Sequence, residues 1–132
     1  MTIRWAAPHE GQLIKSFCHE AQYIVAENID WSRPLGLCWL VADSPTPVGC
    51  LMVNFGAPVG RAEFLSVSSR LSFRTKAKVV RALCFSAIEN LAKHGSQLVM
   101  FDLDHRALDW QGIVEKRGAV CCNTVNSYLK KV

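Results

Sequence analysis

Five cations fall within a short stretch, at Arg70, Arg74, Lys76, Lys78 and Arg81, and two more stand at Lys130 and Lys131. Such a cluster solvates a helix face, cradles a phosphate, or tracks the backbone of a nucleic acid. The third use wants aromatic side chains among the cations, and Trp5, Trp31, Trp39 and Trp110 are dispersed instead, so nucleic acid is the least expected partner. Four of the six cysteines, Cys18, Cys38, Cys50 and Cys84, each lie inside an apolar run, and only Cys121 and Cys122 are close together. With no CxxC pair and with His9, His19, His94 and His105 scattered, neither a disulfide framework nor a zinc site is expected; buried reduced thiols acting as small hydrophobes are. Two further residues are chemical candidates by type. Glu63 is a lone carboxylate on an apolar strand, either an exposed or ion-paired residue or a base. His105 directly follows an apolar strand, at the carboxyl end where α/β proteins tend to bind ligands, or is simply a surface residue.

The elements that must position these residues follow from periodicity. Thr2 to Trp5 reads as a short strand, and Pro8 sits where a helix favours a first-turn proline. Leu13, Ile14, Phe17, Cys18, Ala21, Ile24 and Val25 recur at three- and four-residue spacing, which predicts a helix through about residue 26. Residues 28–36 break the pattern. Residues 37–42 and 48–55 are apolar, rich in strand formers and separated by Asp43-Ser44-Pro45-Thr46-Pro47, which predicts an antiparallel hairpin. A turn at residues 56–60 leads into a third strand over 62–68. Val79, Val80, Leu83, Cys84, Ala87, Ile88 and Leu91 then mark a long helix, with Ser72 as its N-cap and His94-Gly95 at its end. Residues 97–103 form a nearly continuous apolar strand, as expected of one covered on both faces. A shorter helix over 107–116, a break at Gly118 and one or two strands over 119–129 complete the order.

The long helix must cross over between two parallel strands, so the chain is expected to be α/β, with a mixed, mostly antiparallel sheet, a parallel central pair and helices on both faces. At 132 residues, half of them hydrophobic, it has the size and composition of one globular domain, 1–132. No apolar run approaches a membrane span, and the N-terminus lacks a signal-peptide core, so a soluble, unexported, cytoplasmic protein with no membrane partner is expected. Trp31, Leu35 and Leu37 belong either to the core or to a homo-oligomer interface.

That order of elements resembles the GNAT superfamily of acyl-CoA N-acyltransferases over nearly the whole chain. Residues 2–10 look like the family's strand-to-helix opening, and Val114-Glu115-Lys116-Arg117-Gly118-Ala119-Val120 is similar to its closing helix, glycine and strand. The family's acyl-CoA motif, Q/R-x-x-G-x-G/A, falls in register on Ser72-Phe73-Arg74-Thr75-Lys76-Ala77, counted from Val67. Ser72 stands in place of Gln or Arg and Thr75 in place of the first glycine, while Ala77 is a permitted residue. In this motif, amides at a helix start and the helix dipole hold a pyrophosphate. Here Ser72 and Thr75 hydroxyls and the charges of Arg74, Lys76 and Lys78 would supplement them.

The resemblance implies acetyl-CoA or another acyl-CoA as cofactor and a primary amine, on a small molecule or a protein, as acceptor. Backbone amides near Leu65 and Val67 would orient the thioester, and Glu63 has the facing of the family's general base. The family often places a tyrosine where Val114 stands, so its usual general acid is missing; Asp104, His105, Cys121 and Cys122 could approach the splayed strands, though the sequence does not show it, and Tyr23 and Tyr128 are far away in sequence. The glycine-poor motif and small size also resemble degenerate GNAT-like proteins of tailed bacteriophages, which implies the alternative of a non-catalytic structural or interaction module, virion-associated if phage-encoded.

Overall fold

A computed structural model of the chain describes residues 1–36 and 38–102 together with Gly112, Glu115, Lys116 and Gly118. The described elements are β1 (Thr2–Trp5), α1 (Gly11–Glu20), a 3-10 helix (Ile24–Asn28), β2 (Trp39–Asp43), β3 (Pro47–Asn54), β4 (Val59–Val67), α2 (Phe73–Lys93) and β5 (Leu98–Asp102). This is the expected order as far as β5. Most of the helix expected over 107–116 and all of the terminal strands over 119–129 lie outside the described residues. So do Leu37, Asp104, His105, Val114, Cys121, Cys122 and Tyr128.

The five strands form one sheet in sequence order. β1 to β4 pair antiparallel, and β5 returns parallel to β4 after the α2 crossover. Because side chains alternate across a strand, each strand serves two cores. Leu40, Ala42, Leu51, Val53, Ala62 and Leu65 pack with Val79, Val80, Leu83, Ala87 and Leu91 of α2. On the opposite face Trp39, Val41 and Cys50 pack with Ile14, Phe17 and Cys18 of α1. Trp31 is buried in this second cluster, donating its indole N–H to the Ala26 carbonyl at 2.8 Å, with Leu35 half-buried against it. Both are therefore core residues. Cys18, Cys50 and Cys84 are buried and Cys38 is half-buried, all as free thiols.

α2 starts and stops where its local signals say. The Ser72 hydroxyl accepts from the Thr75 amide, and Gly95, at φ 94, takes the left-handed position that lets Ser96 N–H reach the Leu91 carbonyl. α1 is shorter than its apolar stripe predicts. Gln22 adopts φ 61, so Gln22 N–H bonds the His19 carbonyl and Tyr23 N–H bonds that of Cys18, a closing pattern that redirects the chain into the 3-10 helix. β4 begins at Val59 rather than 62, because its first five residues pair with β5. Among the described residues, β5 is covered on one face only. Val99 and Phe101 pack toward α2, but α1 packs against β3 and β4 instead, leaving Leu98 and Asp102 exposed and Met100 half-buried. Among the described residues, no helix is long and apolar enough to cross a membrane.

One ionic cluster ties the sheet edge to the start of α1. The Arg4 guanidinium bonds both oxygens of Glu10, at 2.6 and 3.0 Å, and Asp43 across the β1–β2 pair at 2.6 Å, while Glu10 also accepts from the Ala7 amide. Arg4 holds the Glu10 carboxyl down at about 2. A depressed carboxyl stabilises the fold above its unfolded value, about 4.3, and loses that contribution as pH falls toward 2. Thermal unfolding from pH 5 down to pH 2 is expected to show a falling midpoint, and Glu10→Gln is expected to lower the midpoint at pH 7 and to flatten that dependence.

Candidate active site

The antiparallel register of β3 and β4 slips by one residue: Cys50 pairs with Ser66, but Met52 pairs with Glu63, so Leu51 alone faces both Phe64 and Leu65. This is a β-bulge, and Phe64 takes φ 55 to make it. The extra residue changes which way side chains point. Ala62, Leu65 and Val67 all pack on the α2 side, whereas Phe64 packs on the α1 side. Glu63 therefore joins Phe64 on the α1 side instead of alternating with it.

The bulge also sets the direction of backbone groups. Ser68 N–H bonds the Val48 carbonyl and Ser66 pairs with Cys50, so alternation turns the amides of Leu65 and Val67 away from β3, toward the side on which β5 lies. The parallel ladder with β5 covers Val59 to Glu63. Beyond it, residues 64–67 have no β5 partner among the described residues. Tyr23 reaches this stretch from the loop after α1, its phenol donating to the Leu65 carbonyl at 2.7 Å and its ring meeting Phe64 edge-on, with centroids 5.3 Å apart.

Around Glu63 lies a polar group on the same face. Asn54 Nδ2 donates to Glu63 Oε2 at 2.8 Å, and Arg61 stands 3.8 Å from Glu63 Oε1 and 3.7 Å from Asp102 Oδ2. Burial, then the neighbouring Asp102 carboxylate, push the Glu63 carboxyl above its ordinary value; Arg61 and Asn54 oppose them in part. At the front of α2, the Ser72 hydroxyl donates to Thr75 Oγ1 at 3.0 Å while accepting from the Thr75 amide. The helix itself offers no partner to the amides of Phe73 and Arg74.

No protein-family model matches the sequence, and no curated protein matches it. Solved structures do match its architecture. A ribosomal-protein-alanine N-acetyltransferase from Brucella melitensis biovar Abortus superposes with a TM-score of 0.69 over the full length of both chains, at 12% identity. An aminoglycoside N-acetyltransferase in complex with CoA gives 0.69 over 99% of this chain and 95% of that one, at 14% identity. A protein from Bacillus halodurans described as a transcriptional regulator gives 0.68 over 98% and 99%, at 16% identity. The fold is that of the GNAT acetyltransferases. Within a GNAT fold, activity has to be argued from the site, because one architecture hosts unrelated functions.

On this GNAT framework the residues singled out in the sequence fall into two groups. Glu63, Leu65 and Val67 share the end of β4, on both sides of the bulge. Ser72, Arg74, Thr75, Lys76, Ala77 and Lys78 share the cap and first turn of α2, but their cations diverge. Arg74 and Lys78 are exposed along one side, whereas Lys76 is half-buried and helps hold the Glu20 carboxyl below its ordinary value, after the larger effects of Ser69 hydroxyl and amide hydrogen bonds and alongside Arg70. Glu20 itself accepts from the Ser69 amide at 2.6 Å. Tyr23, Asn54, Arg61 and Asp102 are further neighbours of the site that residue type does not mark: the antiparallel ladder sets Asn54 opposite Arg61, the parallel ladder brings Asp102, and a contact across 42 residues brings Tyr23. Among the described residues, no three His, Cys, Asp or Glu side chains gather as metal ligands.

The Tyr23 bond closes the loop over the bulge and satisfies a carbonyl of a buried residue. Tyr23→Phe is expected to lower stability to urea by about 1 kcal/mol, the net value of one such bond, read as a lower midpoint with an unchanged slope.

Proposed function

We propose that this protein transfers an acyl group, acetyl in the first instance, from acyl-CoA to a primary amine. The observation that carries the reading is the bulge in β4. It leaves the Leu65 and Val67 amides facing away from β3 while it sets Glu63 beside them on the α1 side. The CoA-bound aminoglycoside acetyltransferase of the same architecture supports the choice of acyl donor.

In this reading the thioester carbonyl lies against the amides of Leu65 and Val67, which stabilise the negative charge that builds on its oxygen during attack. The diphosphate of the donor lies at the front of α2. There the Phe73 and Arg74 amides and the helix dipole fit an anion, the diverging charges of Arg74, Lys76 and Lys78 add positive potential around it, and Ala77 leaves room for its approach. Ser72 and Thr75 contribute by holding the first turn in shape, since their hydroxyls bond one another. Glu63 takes a proton from the amine as its nitrogen forms the new C–N bond, which suits a carboxyl whose affinity for protons is raised. The C–S bond breaks, and we assign to the Tyr23 phenol the proton that the sulfur takes up. Water returns the proton from Glu63 to Tyr23, so the products are the amide and the free thiol of CoA.

A second reading is favoured by one observation: Ser72 occupies the Thr75 amide, and Thr75 adds a branched side chain where the family keeps glycine. It is a GNAT-fold module kept for structure or interaction, including one packaged in a phage virion. Calorimetry with acetyl-CoA separates the two. Under the first reading, a hundredfold excess over the dissociation constant raises stability by about 2.7 kcal/mol. Lys76→Glu weakens this binding, while Glu63→Gln keeps it and lowers turnover of an accepted amine by about 10²- to 10⁴-fold. An unchanged thermal midpoint at millimolar acetyl-CoA would overturn the enzyme reading in favour of the second.

A further inference from the structure

We propose that Asp102 is a positioning residue for Glu63: the two carboxylates, bridged by Arg61, form a dyad in which Asp102 sets when Glu63 holds its proton. The catalytic consequence rests on the reading of Glu63 as the base; the dyad itself does not.

The geometry comes from the parallel ladder. Glu63 and Asp102 are Cα partners, at the last described pair between β4 and β5. Their chain neighbours Ala62 and Phe101 pack on the α2 side, so alternation sends both carboxylates to the α1 side of the sheet. Adjacent strands are separated by about 4.8 Å, which leaves two like charges side by side. Among the described residues, Arg61, two residues before Glu63 and on the same face, is the one guanidinium between them. Its contacts of 3.8 Å to Glu63 and 3.7 Å to Asp102 are ion pairs without hydrogen-bond distance, so it compensates two carboxylates incompletely. Its third nitrogen lies 3.3 Å from Met100 Sδ.

The two side chains differ in exposure: that of Glu63 is 19% exposed and that of Asp102 is 43% exposed, so burial disfavours the charged form of Glu63. Asn54 donates to Glu63 Oε2, leaving Oε1 as the oxygen turned toward Arg61. Among the described residues, the charged groups facing Glu63 are Arg61 from β4 itself and Asp102 from β5; β3 contributes the neutral Asn54. Removing Asp102 and removing Arg61 must therefore move Glu63 in opposite directions, which a merely structural role would not do.

The test is a carbon-detected NMR pH titration of side-chain carboxyls in the full chain, with Glu63→Gln used to assign the Glu63 signal. The wild-type midpoint is expected above the ordinary glutamate value of about 4.3. Asp102→Asn is expected to shift it to lower pH and Arg61→Gln to higher pH, with Asp102→Glu restoring the wild-type direction. An unmoved midpoint in a folded Asp102→Asn variant overturns the dyad. Should that variant fail to fold, the absence of an upward shift in Arg61→Gln overturns it equally. If both shifts occur but no amine is acylated, the dyad stands and the transferase reading falls. If acylation occurs and its acid limb ignores both substitutions, the transferase stands and the positioning role falls.

Discussion

One extra residue in β4 governs the molecule's usable surface. Without the bulge at Phe64 and Leu65, strict alternation would send Phe64 toward α2 or Glu63 away from α1, and the two could not share a face. With it, β4 supplies Ala62, Leu65 and Val67 to the larger core and Phe64 to the smaller one. A carboxylate is left at the rim between them, and two backbone amides turn away from β3.

Such a conformation has a cost. A non-glycine residue in the left-handed region costs on the order of 1–2 kcal/mol. Phe64 is held there by its neighbours: Tyr23 meets its edge, Trp39 stacks at 6.3 Å and 28°, and Trp39 in turn packs on the buried Trp31. Each aromatic pair contributes about 0.5–1.5 kcal/mol beyond its burial, and the Tyr23 hydroxyl adds its bond to the Leu65 carbonyl. Together these offset the strain. Tyr23 and Trp31 from the segment between α1 and β2, with Trp39 of β2, converge on this one purpose.

Where structure depends on neighbouring residues alone, it was legible in the sequence. Ser72 as a cap, Gly95 as a stop and the proline-marked turn between β2 and β3 act within a few residues, and the folded chain uses each of them as expected. The crossover that makes β4 and β5 parallel followed from the length of α2. The early end of α1 did not, because Gln22 takes a conformation that its side chain does not advertise and its apolar stripe continues past it. Nor did the pairing of Glu63 with Asp102, since the register of a parallel ladder is set by the packing of the crossover helix rather than by either strand. Glu63, Leu65 and Val67 were singled out as a group through family resemblance, but what gathers them, the bulge, leaves no mark in residue type. The hydroxyls of Ser72 and Thr75, expected to supplement a phosphate site, also bond each other, a local alternative always open to Ser and Thr at a helix start.

The central claim is that the bulge turns specific amides toward an acyl donor. Nitrogen-15 amide spectra recorded during titration with acetyl-CoA test it residue by residue. The account predicts saturable shifts concentrated at Leu65, Val67, Phe73 and Arg74. Saturable shifts confined to other parts of the chain, with those four amides unmoved, would contradict it.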